Sequence, residues 1–283
     1  MLSTGIMPSV LASKGNSGRE KVVRALEEYF AVKGHESGSD LVKARFQILQ
    51  NDIGPKDIAR FECVNGMALL VNTVPTAFWT IYHTFASTKI LASVRDHIHT
   101  ILSIEEQHGQ IFRTIDLSRL KEVPILTSVL QESLRHRATG AGPRMVLEDT
   151  ILDNRYLLKR DSYLIIPNHE MHFDLGAWGE SVMDFDAQRF IRSGSNKIPP
   201  GAFRGFGGGV NLCPGKAFAT TEVVALLAML AMRYEMKPTS GQWTDPQQDM
   251  TNMSLAISPP QSKIIVEMLP REGLRCSSWA FKP

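Results

Sequence analysis

The feature that most constrains this chain is a glycine-rich run that ends in a cysteine just before a predicted helix. Residues 206–215 read Phe-Gly-Gly-Gly-Val-Asn-Leu-Cys-Pro-Gly, and Pro214 suits the first turn of a helix predicted over 214–235. Glycines without a side chain let the backbone approach a flat ligand closely. At a helix N-terminus the dipole and the nearby N–H groups favour negative charge, so Cys213 is suited to act as a thiolate ligand.

In residue type and spacing, this run resembles the haem-ligand signature of the cytochrome P-450 family. The resemblance implies that Phe206, Gly209, Cys213 and Gly215 bind heme b (iron protoporphyrin IX), with the Cys213 thiolate as the axial ligand of the metal. Asn211 is a departure, because the family often has there an Arg or His that contacts a haem propionate. A nucleotide-binding loop fits poorly, since no strand precedes the run at the correct distance and no Lys-Ser or Lys-Thr pair follows it.

A second motif places opposite charges inside a helix predicted over 118–137. Glu132 and Arg135 are three residues apart and therefore share one helix face, which apolar neighbours indicate to be partly buried. Alone, such a pair would be interpreted as an exposed surface ion pair. The resemblance implies that Arg189 joins them in a buried triad that supports the cysteine loop.

Between these two motifs the sequence pattern is no longer that of helices. After Gly140, short extended pieces separated by polar turns predict small β-sheets. Arg144, which enters these strands, matches a position where family members often contact a propionate, although an ordinary strand arginine fits nearly as well. Residues 176–213 are rich in Gly, Asp and Pro and are expected to form a long meander that leads to the cysteine.

An apolar run over 56–86 predicts a central helix kinked at Pro75. The resemblance implies that this helix lies on the distal side of the haem. Its pattern Asn-Thr-x-Pro-Thr resembles the subgroup that contains sterol and bile-acid hydroxylases and prostacyclin synthase, in which the proline replaces a threonine. The resemblance implies a catalytic position for Asn72, Thr73, Pro75 and Thr76, where Asn72, Thr73 or a water delivers protons. The alternative makes them core-helix groups bonded to the backbone.

The motifs follow the order of the family through nearly the whole chain. This implies a mainly α fold with small β-sheets, the C-terminal haem-binding part of the cytochrome P-450 fold without its N-terminal portion, as a single partial domain over 1–283. Residues 139–143 and 253–257 are expected to touch substrate. Residues 87–107 are predicted to form a surface helix.

Composition excludes several function classes. With 31 Lys and Arg against 29 Asp and Glu, the net charge of +2 gives no reason to expect a nucleic-acid partner. The 3 cysteines are widely scattered, which is not typical of a disulfide framework or a zinc site. We find no apolar stretch of about 20 residues, and therefore expect no transmembrane anchor in this chain and a protein that is cytoplasmic or peripheral on the endoplasmic reticulum.

Three functions remain open at this point. The first is an oxidoreductase of secondary metabolism, a haem-thiolate monooxygenase that oxidises an apolar small molecule such as a terpenoid, sterol or polyketide, with electrons from an NADPH-dependent flavoprotein reductase. The second is a haem-thiolate isomerase or dehydratase that acts on a peroxide, for which the proline at position 75 is the evidence. The third is a non-catalytic, truncated remnant that binds haem.

Overall fold

The computed structural model describes residues 12–191, 198–248, 250, 255–274 and 277–282. These residues form a mainly helical fold with small β-sheets, which confirms the predicted fold class. The chain divides into two compact units, Met1–Leu70 and Val71–Pro283, so that a single domain over 1–283 stays a proposal. Among the residues described, no helix is both long and apolar enough to cross a membrane.

The first unit is a small helical cluster. Helix α1 spans Ser13–Ala31, a 3-10 turn spans Gly34–Ser37, α2 spans Asp40–Leu49 and α3 spans Pro55–Val71, with its last residue beyond the unit. The Ser39 side chain caps α2 by accepting a hydrogen bond from the N–H of Val42. The core of this unit consists of Val23, Phe30, Ile58, Ala59 and Cys63.

The second unit contains the helices that surround the predicted site. They are α4 (Thr73–Phe85), α5 (Thr88–His99), α6 (Pro124–His136), α7 (Asn168–His172), α8 (Leu175–Trp178) and α9 (Lys216–Arg233). Helices α4, α5, α6 and α9 pack on one another around a buried apolar core. Trp79, Leu126 and Leu227 are fully buried at its centre.

Four small sheets lie in the second unit among the described residues. Strands β1 (Leu102–Gln107), β2 (Gln110–Asp116) and β9 (Ser277–Lys282) form one sheet, antiparallel between β1 and β2 and parallel between β2 and β9. The other sheets are antiparallel pairs: β3 (Ala141–Met145) with β6 (Tyr163–Pro167), β4 (Thr150–Leu152) with β5 (Tyr156–Leu158), and β7 (Tyr234–Pro238) with β8 (Val266–Pro270). The small sheets predicted after Gly140 are therefore present.

The helix predicted over 87–107 is wrong in its second half. Helix α5 ends at His99, and the following residues form β1, which turns into β2 through His108 and Gly109. Both turn residues have positive φ, 52° and 76°, as a tight two-residue hairpin requires. Cross-strand pairing with β2 therefore determines the structure of this segment.

The central run over 56–86 consists of two helices, and its break lies at Asn72 rather than at Pro75. Pro75 is the third residue of α4, where a backbone N–H has no intrahelical partner, so the proline costs no hydrogen bond. In the segment predicted as a helix over 118–137, a 3-10 turn over Leu117–Glu122 precedes α6, which has Pro124 as its first residue.

Leu126→Ala should lower the free energy of unfolding by about 2 to 5 kcal/mol, because it leaves a cavity at a position of 0% exposure. Urea unfolding followed by circular dichroism measures this change. Leu147→Ala, at a position of 72% exposure, is the matched control and should change the free energy by less than about 0.5 kcal/mol. Equal effects of the two substitutions would contradict this assignment of the core.

Candidate cofactor-binding site

The cysteine loop is closed by its own backbone. The N–H of Cys213 donates to the carbonyl of Phe206 at 2.9 Å, and the N–H of Gly207 donates to the carbonyl of Arg204, also at 2.9 Å. Gly207 and Gly209 have φ of 79° and 66°, in the left-handed region that a residue with a Cβ adopts only with strain. The loop is thus a tight turn that only glycine forms easily.

The thiol of Cys213 is presented to solvent at the entrance of α9. Cys213 is exposed, and its carbonyl accepts a hydrogen bond from the N–H of Lys216 at 3.2 Å. A Cβ on Gly215 would lie 3.8 Å from Cys213 Sγ, so the glycine leaves the sulfur accessible. Phe206 is half-buried beside the same turn. The arrangement provides a free sulfur ligand at a helix N-terminus, where negative charge is stabilised.

The structure brings Glu132, Arg135 and Arg189 together. The Glu132 carboxylate is fully buried and accepts hydrogen bonds from Arg135 Nε at 2.7 Å, Arg135 Nη2 at 2.8 Å and Arg189 Nε at 3.0 Å. The N–H of Asp186 adds a fourth donor at 3.0 Å. Arg135 also donates to the carbonyls of His172, Val182 and Asp184. With so many partners, the desolvated charges are compensated.

His172 joins this network to the cysteine loop. Its Nδ1 lies 3.2 Å from the carbonyl of Arg135, and its Nε2 accepts a hydrogen bond from the backbone N–H of Arg204 at 2.9 Å. The ring also stacks on Phe203, with the ring centroids 5.5 Å apart. Because Nε2 accepts, the proton of the neutral ring belongs on Nδ1. Helix α6 is therefore connected to the start of the loop through a single imidazole.

The polar side chains at the start of α4 differ in their hydrogen bonds. Asn72 Oδ1 accepts from the N–H of Ala256 at 3.0 Å, and Thr76 Oγ1 donates to the carbonyl of Asn72 at 2.7 Å. Pro75 and Thr76 are buried, whereas Thr73 is half-buried and its hydroxyl has no side-chain hydrogen bond within the described residues. Asn72 and Thr76 are thus bonded to backbone, as the alternative interpretation expects for them.

The two segments expected to touch substrate are neighbours. The N–H of Thr139 donates to the carbonyl of Ala256 at 3.1 Å, and Thr139 Oγ1 lies 3.1 Å from the carbonyl of Leu255. A Cβ on Gly140 would lie 2.7 Å from that same carbonyl, so the close approach requires glycine. Asn72 reaches the second segment from α4. Residues 253 and 254 of that segment lie outside the described residues.

Arg144 lies on β3 and donates from Nη1 to the carbonyl of Pro143 at 2.8 Å. It approaches Arg204, whose role the sequence did not indicate: a Cβ on Gly142 would lie 3.8 Å from Arg144 Nη1 and 3.8 Å from Arg204 Nη2. Arg204 Nε is buried and has no hydrogen-bond partner among the described residues. His172 and Asp186 were likewise not predicted to support the loop, because their contacts depend on tertiary structure.

These residues fit a haem. An exposed thiol, a loop whose glycines leave its face open, and two arginines that approach one point match the iron, the flat ring and the carboxylates of that cofactor. Cys213 would hold the iron, Phe206, Gly209 and Gly215 would border the ring near the sulfur, and Arg144 would face a propionate.

Comparison with known proteins gives a consistent result. The sequence pattern of the family described as "Cytochrome P450" matches residues 62–266. The cytochrome P450 monooxygenase nodJ of Hypoxylon pulicicidum is 34% identical over 100% of this chain and 57% of its own length. Cytochrome P450 7A1 of Oryctolagus cuniculus is 23% identical over 91% of this chain and 54% of its own length. The chain thus spans about half the length of these curated relatives.

A third relative joins two functions in one chain. The bifunctional cytochrome P450/NADPH–P450 reductase of Gibberella moniliformis is 28% identical over 55% of this chain and 13% of its own length.

Glu132→Gln should lower the free energy of unfolding by about 3 to 5 kcal/mol, because it removes the negative charge that compensates two buried guanidinium groups. Chemical unfolding measures the change. The control is Glu122→Gln, which removes an exposed ion pair with Arg119 and should cost less than about 1 kcal/mol. A loss for Glu132→Gln as small as that of the control would overturn the role of the buried network.

The free energy of unfolding should decrease as the pH is lowered, because His172 is buried in its neutral form. Burial lowers the pKa of this histidine from 6.5 to about 4, more than its hydrogen bond to Arg135 raises it. Between these two values the unfolded chain binds a proton that the folded chain does not, so stability is complete above about pH 6.5 and falls by about 3 kcal/mol towards about pH 4.

Urea unfolding across this range, compared between the wild type and His172→Gln, isolates the contribution of the imidazole. The variant should be less stable at neutral pH but should lose less stability on acidification. Parallel pH profiles for the two proteins would rule out titration of His172 as the cause.

Proposed function

The chain belongs to the cytochrome P450 family, and from that premise we propose that it is the haem-binding part of a haem-thiolate monooxygenase in which Cys213 ligates the iron of heme b. The observation that carries the proposal is the exposed Cys213 thiol, held in a glycine turn at the start of α9. When bound, the haem supplies the iron centre that activates oxygen, and a thiolate ligand donates electron density that favours cleavage of the O–O bond.

The other residues of the chain would act by positioning. Glu132, Arg135 and Arg189 form a structural triad that supports the loop, and His172 transmits this support to Arg204. Phe206, Gly209 and Gly215 would border the cofactor. We also assign the distal segment to 56–86 (α3 and α4), the supporting segment to 118–137 (the 3-10 turn and α6), the meander and cysteine loop to 176–213 and the final helix to 214–235, as parts of one domain.

On the distal side, Thr73 is the residue best suited to hold a proton for transfer. Thr73 is half-buried and its hydroxyl forms no side-chain hydrogen bond within the described part of the chain, whereas the Thr76 hydroxyl donates to a backbone carbonyl. Asn72 Oδ1 accepts a hydrogen bond from the N–H of Ala256, and its Nδ2 group has no hydrogen-bond partner among the described residues. Pro75 would shape the wall of the pocket.

The substrate would be an apolar small molecule of secondary metabolism, in the terpenoid, sterol or polyketide class. Residues 139–143 and 255–257, which meet beside Asn72, would contact it. Electrons would come from an NADPH-dependent flavoprotein reductase. The relative that carries a cytochrome P450 and a reductase in one chain supports this partner.

A second candidate function is a haem-thiolate isomerase or dehydratase that acts on a peroxide and needs no reductase. It is favoured by one observation: Pro75 occupies the first turn of α4, and the neighbouring Thr76 and Asn72 are bonded to backbone. The Thr76 hydroxyl and the Asn72 side-chain oxygen are then not free to take part in a proton relay.

The proposal is tested by supplying haem to the full chain, reducing it under carbon monoxide and recording the Soret spectrum. Thiolate ligation gives a characteristic red-shifted band, which is expected for the wild type and for Cys63→Ser but not for Cys213→Ser. A wild-type protein that is folded but gives no red-shifted band would refute the proposal. A band without turnover of any substrate would instead favour the non-catalytic remnant.

The two enzymatic functions are separated by their need for electrons. A monooxygenase should oxidise an apolar test substrate only with NADPH, a reductase and dioxygen, whereas an isomerase should convert an organic peroxide without any of them.

A further inference from the structure

The strongest unexplained feature of the second unit is the guanidinium group of Arg204. Its Nε is buried without a hydrogen-bond partner among the described residues, and no salt bridge there includes Arg204 or Arg144. A buried donor that lacks an acceptor is costly, and each such group in a native protein requires an explanation. A hydrogen-bond acceptor on a bound ligand would satisfy this donor.

Two positive charges approach one another here. A Cβ on Gly142 would lie 3.8 Å from Arg204 Nη2 and equally far from Arg144 Nη1, so both guanidinium groups approach the same point beside β3. Two guanidinium groups that face one point repel each other, and an anion between them would compensate both charges. Arg204 also lies in the cysteine loop region, since the N–H of Gly207 binds its carbonyl. The ligand that satisfies both arginines must be an anion next to this loop.

Gly208 supports this placement of Arg204 independently. Its φ is −175°, an extended conformation that any residue adopts, so backbone freedom does not explain the glycine. The lack of space for a side chain explains the glycine, because a Cβ at this position would lie 2.8 Å from Arg204 Nη1 and 3.2 Å from Arg204 Cζ. Only glycine lets the guanidinium lie across the loop.

We propose that Arg204, together with Arg144, binds the propionates of the haem, and that Arg204 supplies the positive charge that Asn211 cannot. This inference rests on the proposed function, because it requires that Cys213 holds a haem. A guanidinium forms paired hydrogen bonds with a carboxylate, which suits the two carboxylates of this cofactor. The hydrogen bond from Arg204 to His172 uses the backbone N–H, so it does not occupy the side chain.

The test compares haem with its dimethyl ester, in which both propionates are neutral. For the wild type, haem should bind more tightly than the ester. Arg204→Gln should weaken haem binding by about 10- to 100-fold, as expected for loss of a charge-assisted hydrogen bond, and should leave binding of the ester unchanged. Arg160→Gln, at an exposed position in the turn between β5 and β6, is the control and should change neither affinity.

Gly208→Ala provides a second perturbation that keeps the arginine. A methyl group at position 208 would lie 2.8 Å from Arg204 Nη1 and would displace the guanidinium, so this variant should weaken binding of haem more than binding of the ester. In a double-mutant cycle, Arg204→Gln and Arg144→Gln should be less than additive if the arginines share the propionates.

The outcomes are distinct. Equal weakening of haem and ester by Arg204→Gln, or no weakening of either, would overturn the role of Arg204 even if the carbon monoxide complex keeps its red-shifted band. Absence of that band in the wild type would instead refute the proposed function itself. Circular dichroism of each variant before titration shows that the fold is intact.

Discussion

The buried carboxylate of Glu132 is the interaction on which the rest of the site depends. It receives four hydrogen bonds, from Arg135, Arg189 and the backbone N–H of Asp186, in a place from which water is excluded. A buried charge is tolerated only with such a complete set of partners. Because the donors come from α6 and from the meander that precedes the cysteine loop, satisfying this one carboxylate draws two distant parts of the chain together.

Hydrogen bonds connect this buried carboxylate to the cysteine loop through Arg135 and His172. Arg135 binds the carbonyl of His172 through its side chain and the ring of His172 through its own carbonyl, and His172 in turn fixes the N–H of Arg204. The loop then closes on itself, with Gly207 bound to Arg204 and Cys213 bound to Phe206. The position of the Cys213 sulfur is therefore set by hydrogen bonds that extend from the core of the protein.

Local sequence patterns predicted those features that depend on spacing along the chain. The three-residue separation of Glu132 and Arg135, and the glycines before Cys213, are visible without a structure. Features that arise from tertiary contacts were missed or misplaced. Pairing with β2 made a strand of residues predicted as helix, and the break at Asn72 left Pro75 in a first turn. The importance of Arg204 appears only in the structure, where Gly142 and Gly208 lie close to its guanidinium.

The central claim is that Cys213 supplies a sulfur ligand to iron, and X-ray absorption at the iron edge of the haem-loaded chain tests it most directly. The account predicts one sulfur atom among the nearest neighbours of the ferric iron in the wild type and none in Cys213→Ser. A wild-type iron surrounded by nitrogen and oxygen alone, or a sulfur neighbour that persists in Cys213→Ser, would contradict the account.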